Sequence, residues 1–182
     1  LALESENYTI RSMTTSDISD TYISWWNDPE IQESLGFGSR GWNREQSIRY
    51  VRTFDNRHRL HLLIFPKESA IPIGHITILT KSKGIVQTNT IIGDTSYWGK
   101  RVPLEVREVV LKFVFERMDA HKVCGEVDSR NFASIYNYKA QGFKCEGILR
   151  EHVYWIDDTW RDQLRFGLLR DEWIAQQAGA AE

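Results

Sequence analysis

Lys122-Val123-Cys124-Gly125-Glu126-Val127 is followed closely by Asn131-Phe132-Ala133-Ser134-Ile135-Tyr136-Asn137-Tyr138-Lys139-Ala140-Gln141-Gly142-Phe143, and this stretch decides the fold. The first run reads as a short strand. The second reads as a short helix, because asparagine caps a helix by accepting from first-turn N–H groups and glycine is the usual terminator. A small residue, Ser134, stands three positions after Asn131, Tyr138 stands seven after it, and Gly142-Phe143 forms the exit. An ordinary amphipathic helix packing Ile135, Tyr138 and Phe143 fits the same spacing, so the flanking segments must decide.

Upstream, residues 103–118 carry Val106, Val109, Val110, Phe113 and Val114 at i, i+3, i+4, i+7, i+8 spacing, a long amphipathic helix with Glu108 and Lys112 as an exposed i,i+4 pair. Before it lie strand candidates at 60–65, 71–80 and 87–96, with Pro66 and Lys83-Gly84 supplying turns. A first strand is expected at 8–13. Thr15-Ser16-Asp17 caps a helix through Ile18, Tyr22, Trp25 and Trp26, which Asn27-Asp28-Pro29 ends. Gly36-Phe37-Gly38-Ser39-Arg40-Gly41-Trp42 is a loop, and Asn43 opens a helix with Ile48, Val51 and Phe54 on one side. Downstream, long strands at 143–155 and 160–169 turn at Asp157-Asp158, and a last helix begins near Arg170. The order β-α-α-β-β-β-α-β-α-β-β predicts a mixed α/β fold, with a largely antiparallel central sheet and flanking helices.

A chain of 182 residues suits one domain spanning 1–182, with the small-residue stretch 178–182 as a disordered tail. The net charge of −2 gives no footprint for nucleic acid or an anionic membrane. No apolar run approaches the roughly 18 residues of a membrane span, and no basic-then-apolar leader opens the chain. It begins at Leu1 rather than Met, which leaves its native start open. Cys124 and Cys145 read as small buried residues in a reducing cytoplasm, and no His/Cys/Asp/Glu spacing suggests a metal.

The strand–helix pair at 122–143 resembles the acetyl-CoA-binding segment of the GCN5-related N-acetyltransferases, the GNAT superfamily. Further stretches resemble its subgroup of ribosomal-protein N-terminal acetyltransferases: Trp25-Trp26-Asn27-Asp28-Pro29-Glu30-Ile31, Ile92-Gly93-Asp94-Thr95-Ser96-Tyr97-Trp98-Gly99-Lys100, and Gly147-Ile148-Leu149-Arg150-Glu151-His152 with Trp160-Arg161-Asp162 and Leu168-Leu169-Arg170-Asp171-Glu172-Trp173. Each is weak alone, and their order is strong. The resemblance implies the acetyltransferase fold, acetyl-CoA as cosubstrate, a primary-amine acceptor and no metal. It implies that Asn131, with Ser134, contacts the pantetheine arm and that Tyr138 lies beside the thioester sulfur. The pantetheine is expected between the strand at Ile92, Gly93 and Asp94 and the Asn131 helix, bonded to unpaired strand backbone. Gly99, Lys100, Arg101, Val102, Pro103 and Leu104 are expected at the pyrophosphate.

One departure stands out. The subgroup continues Trp-Gly-Lys-Gly-x-Ala, whereas this chain reads Trp98-Gly99-Lys100-Arg101-Val102-Pro103. Small residues there let backbone amides reach an anion at a helix N-terminus. Pro103 removes one donor although it suits a first helical turn, and Arg101 adds bulk together with a fixed charge. The loop is either a modified phosphate site or a lost one.

No Cys–His pair suggests an acyl-enzyme, so direct attack by a neutral amine is the simpler mechanism. Tyr138, protonated at neutral pH, is the general acid for the departing thiolate or only hydrogen-bonds the sulfur. Asp94 is the preferred base, because strand alternation puts it on one face with Ile92. His75 is the other polar candidate and also reads as structural, as do His121 and His152. Glu105 suits the helix dipole. Trp25, Trp26, Trp42, Tyr97 and Trp155 offer aromatic walls, and Arg40, Arg44 and Arg150 either meet an anionic acceptor or are solvated. The expected acceptor is a small molecule such as an amino-sugar nucleotide, acted on by a cytoplasmic monomer or homodimer. The alternatives are a protein N-terminus and a non-catalytic CoA- or sugar-binding module.

Overall fold

The strand-forming runs join into one sheet in the order β1-β2-β3-β4-β5-β6-β8-β7, and its inner strand β3 is buried almost along its whole length because both faces are covered. The structure, a computed structural model, describes residues 1–35, 41–155 and 157–179. The strands are β1 (Ala2–Glu4), β2 (Tyr8–Ser12), β3 (Arg59–Pro66), β4 (Gly74–Ser82), β5 (Ile85–Ile92), β6 (Lys122–Asp128), β7 (Lys144–Tyr154) and β8 (Trp160–Leu169). The helices are α1 (Asp20–Asn27), α2 (Pro29–Leu35), α3 (Arg44–Val51), α4 (Val102–Glu116), α5 (Phe132–Ala140) and α6 (Arg170–Gly179). Every strand pairing is antiparallel except β5 with β6. The architecture is the expected mixed α/β one.

Several boundaries differ from expectation for local reasons. Thr15–Asp17 forms only a 3-10 turn, with Asp17 held by Arg11 at 2.7 Å. Ser19 is the true cap of α1, accepting from Tyr22 N at 3.1 Å. Pro29 does not stop helical structure but opens α2, where its fixed φ fits and the Asp28 carboxylate accepts from Glu30 and Ile31 N–H. A strand at β1 precedes the expected first one. The expected tail is partly helix, since α6 runs through Ala178 to Gly179; residues 180–182, like Arg40 and the loop at 36–40, lie outside the described residues. Cys124 is half-buried, and Cys145, expected inside, is exposed on the edge strand β7.

The two sheet faces pack differently. On one, Val102, Val106, Val110 and Val114 of α4 meet Leu60, Leu62, Ile64, Ile76 and Ile78, the i,i+4 stripe of a core-facing helix. On the other, Leu63 and Phe65 meet Tyr22, Trp25 and Trp26 of α1 and Val51 of α3.

Between them the sheet opens. β5 and β6 pair only over residues 85–87 and 122–124, after which each follows its other neighbour. Gly93 N donates to Ile73 O, so in this antiparallel register the odd-numbered residues of β5 bond β4. Thr88, Thr90 and Ile92 therefore turn their main-chain groups toward the gap.

Candidate functional site

A crevice threads the gap. On the α4/α5 side it is a cavity of about 500 Å³ lined by Ile92, Tyr97, Trp98, Gly99, Arg101, Pro103, Leu104 and residues of α5. A second cavity of about 490 Å³ opens on the α1–α3 side and reaches Tyr138. Both are lined by Ser34, Leu35, Thr90, Ile91, Asn131 and Ser134, so they adjoin at the diverging strands.

Asn131 is the cap of α5: its Oδ1 accepts from Ser134 N at 3.0 Å, and its Nδ2 donates to Ser34 O at 3.3 Å, tying α5 to α2. Ser134 lies one turn further along the same wall. At the head of α4, Gly99 has φ +76° and Arg101 has φ +60°. Arg101 thus holds the left-handed backbone that glycine adopts freely, at a strain of roughly 1–2 kcal/mol for a residue bearing Cβ. Its exposed side chain borders the cavity, with Pro103 in the first helical turn.

Several expected site residues lie elsewhere. β5 stops at Ile92, and the Gly93 and Asp94 amides both donate to Ile73 O. The Asp94 carboxylate accepts from Ser96 N at 3.0 Å and caps a 3-10 turn at Thr95–Tyr97, so strand alternation no longer carries it onto the Ile92 face. Gly93 backs onto Trp25, whose indole would lie 2.1 Å from an added Cβ. Neither residue lines the crevice. The Ile92 carbonyl, expected to be open, accepts from Trp98 Nε1 at 2.9 Å. Lys100 lies over the Tyr97 ring and Val102 is buried in the core, both outside the cavity lining. Glu105 accepts from Ser5 Oγ (2.6 Å), Asn7 N (2.7 Å) and Asn7 Nδ2 (3.0 Å), anchoring the β1–β2 turn to α4.

Tyr138 sits at the vertex. Its ring is buried, stacked on Phe166 with centroids 5.1 Å apart, and its hydroxyl donates to Thr88 O across the gap at 3.4 Å. The close approach needs Gly125 on β6, where an added Cβ would lie 2.0 Å from the hydroxyl. Burial raises the phenol above its ordinary pKa, and Cys124 and Glu126 add to this while Arg107 opposes it. The group is a proton donor at neutral pH.

On the α1–α3 side the lining holds the uncharged polar residues His75, Thr77, Gln87 and Asn89 with Leu79, and also two cations, Arg59 beside the Phe54 ring and Arg107 of α4. His75 and His61 are buried with centroids 4.6 Å apart, against Tyr22, Trp26, Tyr50 and Phe54. Burial pushes His61 down to about 4, and burial with the neighbouring His61 pushes His75 well below its usual value, so both rings are uncharged at pH 7. Trp26, Tyr50, Phe54 and Trp155 form walls; Trp42 stacks behind Trp26, and Trp25 belongs to the core beneath. Glu126 and Asp128 also line this side, each beside an arginine (Arg165 and Arg161). Arg44 is spent on Ile18 O and Asp20, and the exposed Arg150 lies outside the lining. His121 and His152 are both exposed and outside it.

Sequence reasoning missed Arg107, Gly125 and Thr90. Gly125 had a signal, since a glycine inside a strand marks a close approach. Arg107 had one too, because it shares the apolar stripe of α4 with Val110, Leu111 and Val114. Among the described residues no His/Cys/Asp/Glu group could hold a metal ion, and no helix is long and apolar enough to cross a membrane.

Residues 7–144 match the family model described as the acetyltransferase (GNAT) domain. The Probable N-acetyltransferase YjcK of Bacillus subtilis is 26% identical over 132 residues, covering 71% of this chain and 72% of that protein. The ribosomal-protein-S5-alanine acetyltransferase of Vibrio fischeri superposes with a TM-score of 0.83 at 17% identity, over 95% of this chain and 98% of that one. The spermidine N-acetyltransferase of Vibrio cholerae, solved with CoA and spermine, superposes with a TM-score of 0.82 at 16% identity, over 92% and 98%.

Proposed function

This chain belongs to the GNAT acetyltransferase family, and from that premise we propose that it moves acetyl from acetyl-CoA to a primary amine by direct attack across the β5–β6 gap. The observation that carries the reading is the crevice itself: its two cavities adjoin where β5 and β6 diverge, and Tyr138 lines the α1–α3 one, with its hydroxyl on Thr88 O at the start of the divergence. The thioester fits from the α4/α5 side, where Thr90 main-chain groups, Asn131 and Ser134 line the arm's path and Arg101 and Gly99 stand at the phosphate end. The amine fits from the α1–α3 side. Holding both reactants in line supplies most of the rate, and Tyr138 gives its proton to the departing sulfur. Asp94, turned into its own capping bond, is dropped as the base.

The uncharged polar residues His75, Thr77, Gln87 and Asn89 under aromatic walls suit a small polar amine such as an amino sugar, whose hydroxyls need donors and acceptors and whose C–H faces need rings. Of the arginines expected to meet an anionic acceptor, Arg44 and Arg150 stay out of the cavity, while Arg59 and Arg107 line it instead. Glu126 and Asp128 favour a second reading, a cationic polyamine or a peptide N-terminus, as in the names of the spermidine and ribosomal-protein enzymes. That Arg101 keeps the backbone form of a glycine argues against a module that has lost its phosphate site.

Thiol release from acetyl-CoA over amino sugars, polyamines and alanine-initiated peptides tests the reading. Tyr138→Phe should lower kcat by roughly 10²- to 10⁴-fold with acetyl-CoA affinity little changed. A Phe variant that keeps more than about half of kcat would reduce Tyr138 to a wall residue.

A further inference from the structure

Arg107 is a charge in the wrong place for packing alone. It is 3% exposed, on the core-facing side of α4, and among the described residues no carboxylate lies within ion-pairing distance. Its one hydrogen bond is from Nη1 to Gln141 Oε1 at 3.1 Å, Gln141 being held in turn by Leu104 O at 2.8 Å, and Arg107 Nε has no partner. Burying a guanidinium so sparsely bonded is costly, and an apolar residue of the same length is usually preferred. What the position provides is the Tyr138 ring, whose centroid lies 4.2 Å from Arg107 Cζ, with Phe143 at 5.9 Å.

We infer that Arg107 is a positioning residue for proton transfer, a fixed cation over the Tyr138 ring that stabilises the phenolate left when the hydroxyl proton goes to sulfur. The step balances as follows. The amine nitrogen bonds the acetyl carbon, the C–S bond breaks with its electron pair on sulfur, and the Tyr138 proton neutralises that sulfur. The phenolate is then reprotonated by the proton that the new amide nitrogen releases. The cation touches the ring before and after, but its attraction is greatest once the ring is charged. It therefore favours the reacting state over the ground state, as an effect on kcat requires. Burial opposes ionisation of the phenol, and the nearby Cys124 and Glu126 of β6 add to that, whereas Arg107 of α4 favours it.

The inference rests on the general-acid reading of Tyr138, and a double-mutant cycle separates the two. Arg107→Met should lower kcat roughly 10- to 30-fold, the rate equivalent of a desolvated cation–π contact, with both KM values within about twofold. Arg107→Lys should restore part of the loss, and Arg107→Gln serves as the uncharged variant if the Met protein does not fold by circular dichroism. In a Tyr138→Phe background the same substitution should change kcat less than about twofold. An equal loss in both backgrounds, or no loss in wild type, overturns the role of Arg107. A Tyr138→Phe protein with intact kcat instead overturns the reading beneath it.

Discussion

Arg107 and His75 are buried to about the same depth on opposite faces of the sheet, 3% and 1% exposed, yet their protonation states are opposite. Burial lowers the pKa of both. A guanidinium starts so high that lowering leaves it charged, whereas an imidazole starts near neutrality and is discharged. One face therefore keeps a cation where a proton is to leave an aromatic hydroxyl. The other keeps its two buried imidazoles uncharged among aromatic rings, in a cavity where charge comes only from residues around them, Arg59, Glu126 and Asp128, and from Arg107 reaching in from α4. The same desolvation yields two electrostatic environments a few residues apart, because the sequence supplies different side chains to it.

The largest effect that tests this contrast is acid sensitivity confined to the histidine face. His61 titrates at about 4 when folded and near 6.5 when unfolded. Below pH 6.5 the unfolded chain takes a proton that the folded one refuses, so stability falls as pH drops toward 4 and that contribution then levels off. His61 alone makes this loss about 3 kcal/mol at its full extent, with His75 acting in the same direction. Urea unfolding at pH 7, 5.5 and 4.5 should show a falling midpoint, and His61→Leu should flatten it. Asp17 and Glu105, which hydrogen bonds and nearby charges hold below the usual carboxylate range, begin to lose their contribution only near pH 5 and lose most of it below about 4.5, so the fall between pH 7 and 5.5 belongs to the histidines. An unchanged midpoint between pH 7 and 4.5 would mean that the pair is not held neutral, and the contrast would collapse.

How much of this was legible follows from where the causes lie. The α5 segment is readable because its cap, its small residue and its Gly142 exit, at φ +77°, are local. The α4 stripe is readable because periodicity is local too. The end of β5 is not: Thr95 and Tyr97 suit a strand, but Ile73 O on a distant residue captures the Gly93 and Asp94 amides and the chain turns. Of the polar lining residues on β4 and β5 only His75 stands out in the sequence; Thr77, Gln87 and Asn89 do not, since they come together with it only through the β4–β5 pairing. Arg107 was hidden by its class, because charged residues on a helix are read as solvated unless the stripe is counted strictly.

A smaller effect probes the phosphate end of the α4 face. Arg101→Gly should move stability and binding in opposite directions. Removing Cβ at φ +60° relieves strain, so the free protein should gain stability by about 1 kcal/mol. Losing the guanidinium should weaken CoA by about 1.5–3 kcal/mol, roughly ten- to a hundredfold, and should leave a pantetheine fragment without the pyrophosphate nearly unaffected. Titration calorimetry at low salt reads both ligands. Equal CoA affinity in wild type and variant would make Arg101 a solvated charge.

The smallest effect concerns Glu105, whose carboxylate gathers Ser5 and Asn7 at the start of α4 and thereby fastens β1 and β2 beside the phosphate end. Burial alone would raise its pKa, and the hydrogen bonds from Ser5 and Asn7 outweigh that, which marks them as bonds to the charged form. The site is partly open to water, so Glu105→Ala should cost only about 1 kcal/mol, a fall in Tm of roughly 2–4 °C. The loss should be local: amide exchange should speed up in β1 and the β1–β2 turn, and the acid dependence set by His61 and His75 should stay as in wild type. If Glu105→Ala also altered that acid dependence, the two faces would be coupled through the sheet rather than independent. If β1 protection did not change, the carboxylate would serve only the helix dipole, worth about 0.3–1 kcal/mol.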